Sequence, residues 1–413
     1  MRFIHAADLH LDSPLTGLRQ RAQERASHLA DASRRALEQM VTYALEERID
    51  LVVVAGDLFD TQAADFNSAL FLLKQLARLS DADIPVALIR GNHDAANAMS
   101  RKVTWPKNVH EFGARAPATW EIPRLEVAVH GQSFPHREVP ENLVLRYPAP
   151  KAGWFNIGLL HTSLDGRPGH APYAPCSVQD LRNRGYDYWA LGHVHGHEVV
   201  DRNPHVIFSG NLQGRHSREC GPKGFVVATV EGGRVSALEH VPIDVVRWAR
   251  LAVDVSSAST VSEVCPLVSA ALMREVQASG DRTLAVRIVL EGACPAHVSL
   301  AGDPTTLLAE CTGVALQCGG DVWIEKVEVR TSHAAVAAAE GQTAAFAPII
   351  KRIGADEAEL GEILAPVASG LSRLPPEVLA LLDVDGRNAE GRDRLLALDQ
   401  ASVLRRITGR VGA

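Results

Sequence analysis

The sequence predicts an α/β fold: a two-sheet sandwich flanked by helices, followed by a smaller α/β unit and a helical C-terminal tail. Three observations predict it. Short β-branched runs alternate with helical periodicities at the start of the chain. A crowd of strands with few helices between them follows. Strand–helix alternation then resumes after residue 245.

Residues 2–7 read as a short strand that runs straight into Asp8-Leu9-His10. Leu29, Ala36, Leu37, Met40, Val41, Ala44, Leu45 and Ile49 recur at helical spacing, so 29–49 is expected to be a helix with one face inward. The run 51–55 is a buried strand ending in Gly56-Asp57, 66–79 is helical again, and 85–89 is a strand closed by Gly91-Asn92-His93-Asp94. This β-α-β-α-β order implies a largely parallel sheet. Candidate strands at 125–130, 155–161, 186–191, 205–209 and 224–230 are expected to form a second sheet packed on the first. Beyond them, 251–255, 284–290 and 322–329 alternate in strand fashion, with helical stretches near 259–276 and 303–315. The expected domains are 1–245, 246–332, and a linker and tail over 333–413 whose helix-forming part is 355–407.

Composition narrows the function classes. No run reaches the roughly 18 uninterrupted apolar residues of a membrane span, and the first residues carry no apolar segment with a cleavage site, so a cytoplasmic protein is expected. The six cysteines are scattered without a CxxC pair, which argues against a zinc ribbon or a disulfide framework. Net charge is −7, so a nucleic-acid partner requires locally concentrated positive charge. The basic residues Arg19, Arg21, Arg25, Arg34, Arg35, Arg182, Arg184, Arg215 and Arg218 are locally dense. Arg34 and Arg35 read as a solvated helix face. Arg215 and Arg218 are as well suited to contact phosphate or DNA as to a solvated loop.

The chemistry is carried by Asp8-Leu9-His10, Gly56-Asp57-Leu58-Phe59-Asp60, Gly91-Asn92-His93-Asp94, His161, and Gly192-His193-Val194-His195. Each follows a predicted strand, at the sheet edge where open α/β folds bind ligands. Carboxylate, imidazole and amide oxygen without thiolate suit manganese, iron or zinc in a non-structural site. In extended backbone residues i and i+2 share a side, so Asp8/His10 and His193/His195 are each expected to address one site. Asp8, His10, Asp57, Asn92, His161, His193 and His195 are too many ligands for one tetrahedral ion and suit two ions sharing a carboxylate. His5, His28, His110, His130, His136, His170, His197, His205 and His216 read as surface or loop histidines.

In this order the motifs resemble the calcineurin-like metallophosphoesterase superfamily. FIHAADLHLDSPL, HAPYAPCS, YDYWALGHVH and SGNLQGRHSRECGPKGF resemble more narrowly the bacterial YhaO/SbcD-type DNA repair exonucleases, over residues 1–240. The resemblance implies two divalent metal ions, manganese in the nuclease branch. It assigns Asp8, His10, Asp57 and His195 to one ion, and Asp57, Asn92, His161 and His193 to the other. His93 becomes a catalytic residue that orients the phosphodiester or protonates the leaving oxygen. Asp60 stands where archaeal and eukaryotic relatives carry histidine, and reads either as an acceptor orienting a ligand histidine or as a loop cap.

The resemblance further implies DNA as substrate, an SbcC-like coiled-coil ATPase partner and a homodimer. The unit at 246–332 becomes a cap over the site, and the tail a docking segment for the ATPase. A phosphodiesterase or phosphatase for a small molecule or protein is the alternative on the same scaffold, and an inactive scaffold the third reading.

Overall fold

In the computed structural model, residues 1–332 form one compact unit. The structure describes residues 1–13, 31–60, 66–96, 103–166 and 172–333. The tail helices expected over 355–407, and Arg19, Arg21, Arg25, His28 and His170, lie outside the described residues.

The chain runs β1 (Arg2–Ala6), α1 (Ala32–Glu46), β2 (Leu51–Ala55), α2 (Phe66–Asp81), β3 (Val86–Ile89), α3 (Asn92–Ala96), β4 (Val109–Glu111), β5 (Ala118–Ile122), β6 (Val127–Gly131), β7 (Phe155–His161), α4 (Val178–Arg184) and β8 (Tyr188–Gly192). It continues with β9 (Glu198–Arg202), β10 (His205–Phe208), β11 (Gly224–Glu231), β12 (Arg234–Pro242), β13 (Val246–Asp254), α5 (Val261–Ser279), β14 (Thr283–Cys294), α6 (His297–Gly302), α7 (Pro304–Gln317) and β15 (Val322–His333).

Two six-stranded sheets result, in the orders β12-β11-β1-β2-β3-β4 and β5-β6-β7-β8-β10-β9. In the first, β1 to β4 are parallel, and in the second β6, β7, β8 and β10 are parallel. Alternation in β1 and β2 explains the layering. Phe3, Leu51 and Val53 point to one side and meet Val129, Ile157, Leu159 and Ala190 of the second sheet. Ile4, Val52 and Val54 point to the other and are covered by Leu37, Met40 and Val41 of α1 and Leu72 and Leu76 of α2. The outer face of the second sheet is likewise buried, with Trp189, Leu191 and Phe208 against Tyr147 and Leu181. Because both faces of the parallel strands are covered, they read as continuous apolar runs.

Three expectations are corrected. The strand expected at 224–230 in the second sheet lies in the first instead: β11 pairs antiparallel with β1, and the hairpin to β12 then forms that sheet's edge. His5 and His130 are not surface residues: both are fully buried within strands. His5 is accommodated by the Tyr188 hydroxyl at 3.0 Å and the Leu191 carbonyl at 3.1 Å, and His130 by Thr119 and Asn156. Arg34 is not on a solvated face. Its guanidinium forks onto both Asp12 oxygens at 2.7 Å, tying α1 to the loop after the first motif, while Arg35 is exposed.

Strands β13, β14 and β15 make a three-stranded sheet in that order, with β13 parallel to β14. Its own core joins Val253, Val286, Ile288 and Ile324 to Val264, Leu272, Leu307 and Cys311 of the helices.

Candidate metal centre

Every candidate donor lies at or just past the end of a parallel strand or begins α3, so the two sheets bring five chain segments to one rim. Backbone hydrogen bonds lace these loops together. Asp8 N–H donates to Gly56 O at 2.9 Å, His10 N–H to Asp57 O at 3.0 Å, and Thr162 N–H to Gly192 O at 3.2 Å. Across the two sheets, His193 N–H donates to both Asp8 oxygens at 3.0 and 3.1 Å.

The pairs Asp8/His10 and His193/His195 do not converge through extended backbone, as their spacing suggested. Asp8 (φ 53°), His10 (φ 39°), Asp57 (φ 53°) and His193 (φ 95°) are all left-handed. The strands end at Ala6, Ala55 and Gly192, and the chain turns back on itself to aim these side chains. The left-handed region costs about 1–2 kcal/mol for a non-glycine residue. Four such residues at one rim mark it as a place where geometry outweighs backbone comfort.

Among the described residues, three sets of carboxylate and imidazole donors lie with their ligand atoms within 4.8 Å of one another: Asp8, His10 and His195; Asp8, Asp57 and His161; and His10, Asp60 and His93. Asp57 sits at the middle. Its Oδ2 lies 3.8 Å from His10 Nε2 and 3.5 Å from His161 Nε2, while its Oδ1 accepts from His93 N–H at 2.9 Å. Asn92 joins through Oδ1, 2.9 Å from His161 Nε2. His193 is outside the three sets; its ring centroid lies 5.2 Å from that of His161.

Tautomers are fixed by the outer hydrogen bonds. His161 Nδ1 donates to the Ala55 carbonyl at 2.9 Å, so its Nε2 faces the Asp57 and Asn92 oxygens. His195 Nδ1 donates to Glu219 at 2.7 Å, and its Nε2 lies 3.2 Å from His10 Nε2. Lone pairs this close repel unless a cation or a proton lies among them, so the donor set fits divalent ions. The same crowding appears in the acid–base balance. Burial pulls the His161 imidazole down, but Asp57 and Asp8 carry it up to about 9. Burial raises Asp8 to about 7 despite His161, with Asp57 adding to the rise. Burial alone would raise Asp57, yet His161, His10 and His93 hold it well below the usual carboxylate range.

Glycines make room for this crowding. A methyl group at Gly91 would lie 2.8 Å from His161 Cε1 and 2.9 Å from Asp57 Cγ. Gly56, at φ 96°, is left-handed and equally close to His161.

Two residues outside the candidate donor set support the rim. Asp94, fully buried, accepts backbone N–H from Leu58, Phe59 and Gly91, each at 3.1 Å, and so pins the second loop to the third. Burial, reinforced by Asp57, raises its carboxyl to about 7. Glu219 holds His195 from behind. Asp94 was visible as the last letter of GNHD. Glu219 stands in the SRECG run, where no spacing or periodicity marks it.

The remaining candidates sit at the edge. The His93 ring lies 4.8 Å from that of His10, with Nδ1 3.8 Å from Asp60 Oδ1. Asp60 Oδ2 accepts from Ser13 Oγ at 2.8 Å. Arg215 is turned inward to Glu219 and Asp60, and Arg218 is exposed. Arg182 pairs with Asp201, and Arg184 donates to the Tyr147 carbonyl.

Known proteins share this arrangement of sequence. Residues 1–197 match the family model of the calcineurin-like phosphoesterases, and 248–332 match that of the middle domain of metallophosphoesterase YhaO. The metallophosphoesterase YhaO of Bacillus subtilis is 36% identical over 299 residues, which span 71% of this chain and 72% of that protein. The DNA double-strand break repair protein Mre11 of Saccharolobus solfataricus is 28% identical over 203 residues, 47% of this chain and 49% of its own length. With the likeness to YhaO extending over most of both chains, this protein belongs to the calcineurin-like metallophosphoesterases, in the branch that contains YhaO.

Proposed function

We propose that this metallophosphoesterase is a nuclease that binds two divalent ions, manganese in the working enzyme, and hydrolyses phosphodiester bonds of DNA. The observation that carries the two-ion reading is Asp57, whose Oδ2 faces His10 Nε2 on one side and His161 Nε2 on the other. In this reading Asp8, His10 and His195 complete one half. Asn92, His161 and His193 complete the other. Two ions so held supply Lewis-acid activation of the phosphoryl group and of the attacking water.

The chain's own residues do the rest. His93, a quarter exposed at the edge of the donors, gives a proton to the departing 3′ oxygen. Its backbone N–H fixes Asp57, and Asp60 stands beside its Nδ1 to orient the ring. Support for DNA comes from the likeness to Mre11, named for DNA double-strand break repair, and from the phrases around the loops at 172–177 and 209–225. The unit at 246–332 restricts access as a cap. The segment 347–413 docks an SbcC-like ATPase, and the enzyme works as a homodimer in the cytoplasm. Among the described residues no helix is long and apolar enough to cross a membrane. A net charge of −7 favours the competing reading, a small phosphodiester as substrate.

One assay decides between them. The full chain, loaded with Mn2+, is incubated with linear double-stranded DNA and separately with a chromogenic phosphodiester. Wild type is expected to cleave both, and His93→Asn to lose about 10²–10⁴-fold in rate while keeping its metal content. Hydrolysis of the small ester but never of DNA, even with an ATPase partner added, would sink the nuclease reading. A pull-down in which deletion of 347–413 leaves partner binding intact would remove the docking assignment.

A further inference from the structure

The loop after β10 carries buried charge that the metal donors do not account for. Glu219 Oε1 accepts from His195 Nδ1 at 2.7 Å and from the Arg215 guanidinium at 3.2 Å. Its Oε2 accepts from Asn211 Nδ2 at 2.9 Å and from Arg215 N–H at 2.8 Å. Arg215 Nη2 also stands 3.2 Å from His195 Nδ1, but the carboxylate is nearer and can only accept, so His195 carries its proton on Nδ1 and its lone pair on Nε2. Arg215 does not stop at Glu219. Its Nη1 lies 3.5 Å from Asp60 Oδ2, and Asp60 Oδ1 lies 3.8 Å from His93 Nδ1. A continuous line of side chains, His195–Glu219–Arg215–Asp60–His93, therefore joins a candidate metal donor to the candidate general acid.

We propose that Glu219 and Arg215 are positioning residues: Glu219 fixes His195 as a metal donor, and Arg215 ties that donor to Asp60 beside His93. The inference rests on the two-ion reading above and deepens it. It also assigns Arg215 a role other than phosphate contact. With only 16% of its side chain exposed and its guanidinium shared between two carboxylates, Arg215 has little left to offer a phosphate. Exposed Arg218, three residues on, is the better placed of the two for that. Glutamine at 219 is the informative change. Its amide nitrogen would face either the donors on Oε1 or those on Oε2, so one set loses its acceptor.

The test uses the full 413-residue chain and Mn2+ alone as the probe. Side-chain nitrogen NMR of the ion-free wild type is expected to show His195 protonated on Nδ1 and bare on Nε2; the opposite tautomer overturns the pairing. Calorimetric titration with Mn2+ is expected to show Glu219→Gln weakened about 10–100-fold at one of two sites and unchanged at the other. Equal titrations of variant and wild type overturn the role of Glu219. For Arg215→Gln on a chromogenic phosphodiester, kcat is expected to fall with KM within twofold of wild type. A raised KM with kcat and metal affinity intact makes Arg215 a phosphate contact and refutes its part. Should Glu219→Gln fail to fold, the wild-type spectrum decides alone. A wild type that binds no Mn2+ sinks the two-ion reading, while the His195 tautomer still decides whether Glu219 holds it.

Discussion

Gly91→Ala is the substitution that most directly tests whether the rim is a metal centre held by close packing. The added methyl would stand 2.8 Å from His161 Cε1 and 2.9 Å from Asp57 Cγ, nearer still to Asp57 Oδ1, where ordinary contact begins at 3.4 Å. Relief requires Asp57 or His161 to retreat by roughly 0.5–1 Å, and a misplacement of about 1 Å at a reacting site costs about 100-fold in rate. Neither side chain has free room. Asp57 Oδ1 is fixed by His93 N–H at 2.9 Å, and His161 Nδ1 by the Ala55 carbonyl at 2.9 Å. Because the clash falls on two donors at once, metal content should fall together with rate. The cost in stability should be that of a modest overpacking, about 1–3 kcal/mol. Initial rates on a chromogenic phosphodiester at saturating Mn2+, metal content by mass spectrometry and a thermal melt measure the three quantities. A variant with wild-type kcat and two bound ions refutes the reasoning, since the donors would then tolerate displacement.

The other predictions separate fold from site. Gly158→Ala places a methyl 2.5 Å from Trp189 Cζ3 and 2.8 Å from its Cδ2. It should cost about 1–3 kcal/mol in urea unfolding with kcat per folded molecule unchanged; a lost kcat would mean that the second sheet transmits strain to the rim. Asp94→Ala leaves the N–H groups of Leu58, Phe59 and Gly91 without their acceptor. At about 1–3 kcal/mol for each buried unsatisfied group, a loss of about 3 kcal/mol or more is expected, and a loss below 1 kcal/mol contradicts the pinning role. Chelation should lower the melting temperature and Mn2+ should restore it. An ion at 100 times its Kd stabilises by about 2.7 kcal/mol, and a melt indifferent to chelator argues that no ion binds the folded chain.

Much of this was legible in the sequence for a definite reason. Parallel strands buried on both faces leave unbroken apolar runs, and the polar residues that end such runs fall at a sheet edge; 51–55 followed by Gly56-Asp57 is the clearest case. What escaped depends on contacts distant in sequence. Nothing local distinguishes the run at 224–230 as a neighbour of β1, because an apolar strand does not name its partner. The strand β12 escaped because an exposed edge carries Arg234, Glu239 and His240 in place of an apolar pattern. His5 could not be read as buried without Tyr188, 183 residues away, to receive it. Glu219 is the most instructive omission. A lone glutamate in a loop has no periodicity to betray it, and only the fold brings it to His195.

The left-handed residues show how the fold and the site depend on each other. Asp8, His10, Asp57 and His193 adopt backbone conformations that a free loop would abandon, since each costs about 1–2 kcal/mol. They persist because the surroundings over-determine them. The strands before Asp8, Asp57 and His193 are buried, the loops are hydrogen-bonded to one another, and Asp94 closes the second onto the third. The apolar sandwich thus stabilises a rim that is unfavourable by itself. The backbone that carries the donors is thus fixed by the fold, so binding an ion requires little reordering of the chain. That rigidity gives single-atom intrusions such as the methyl of Gly91→Ala their force, because a loop free to relax would absorb them.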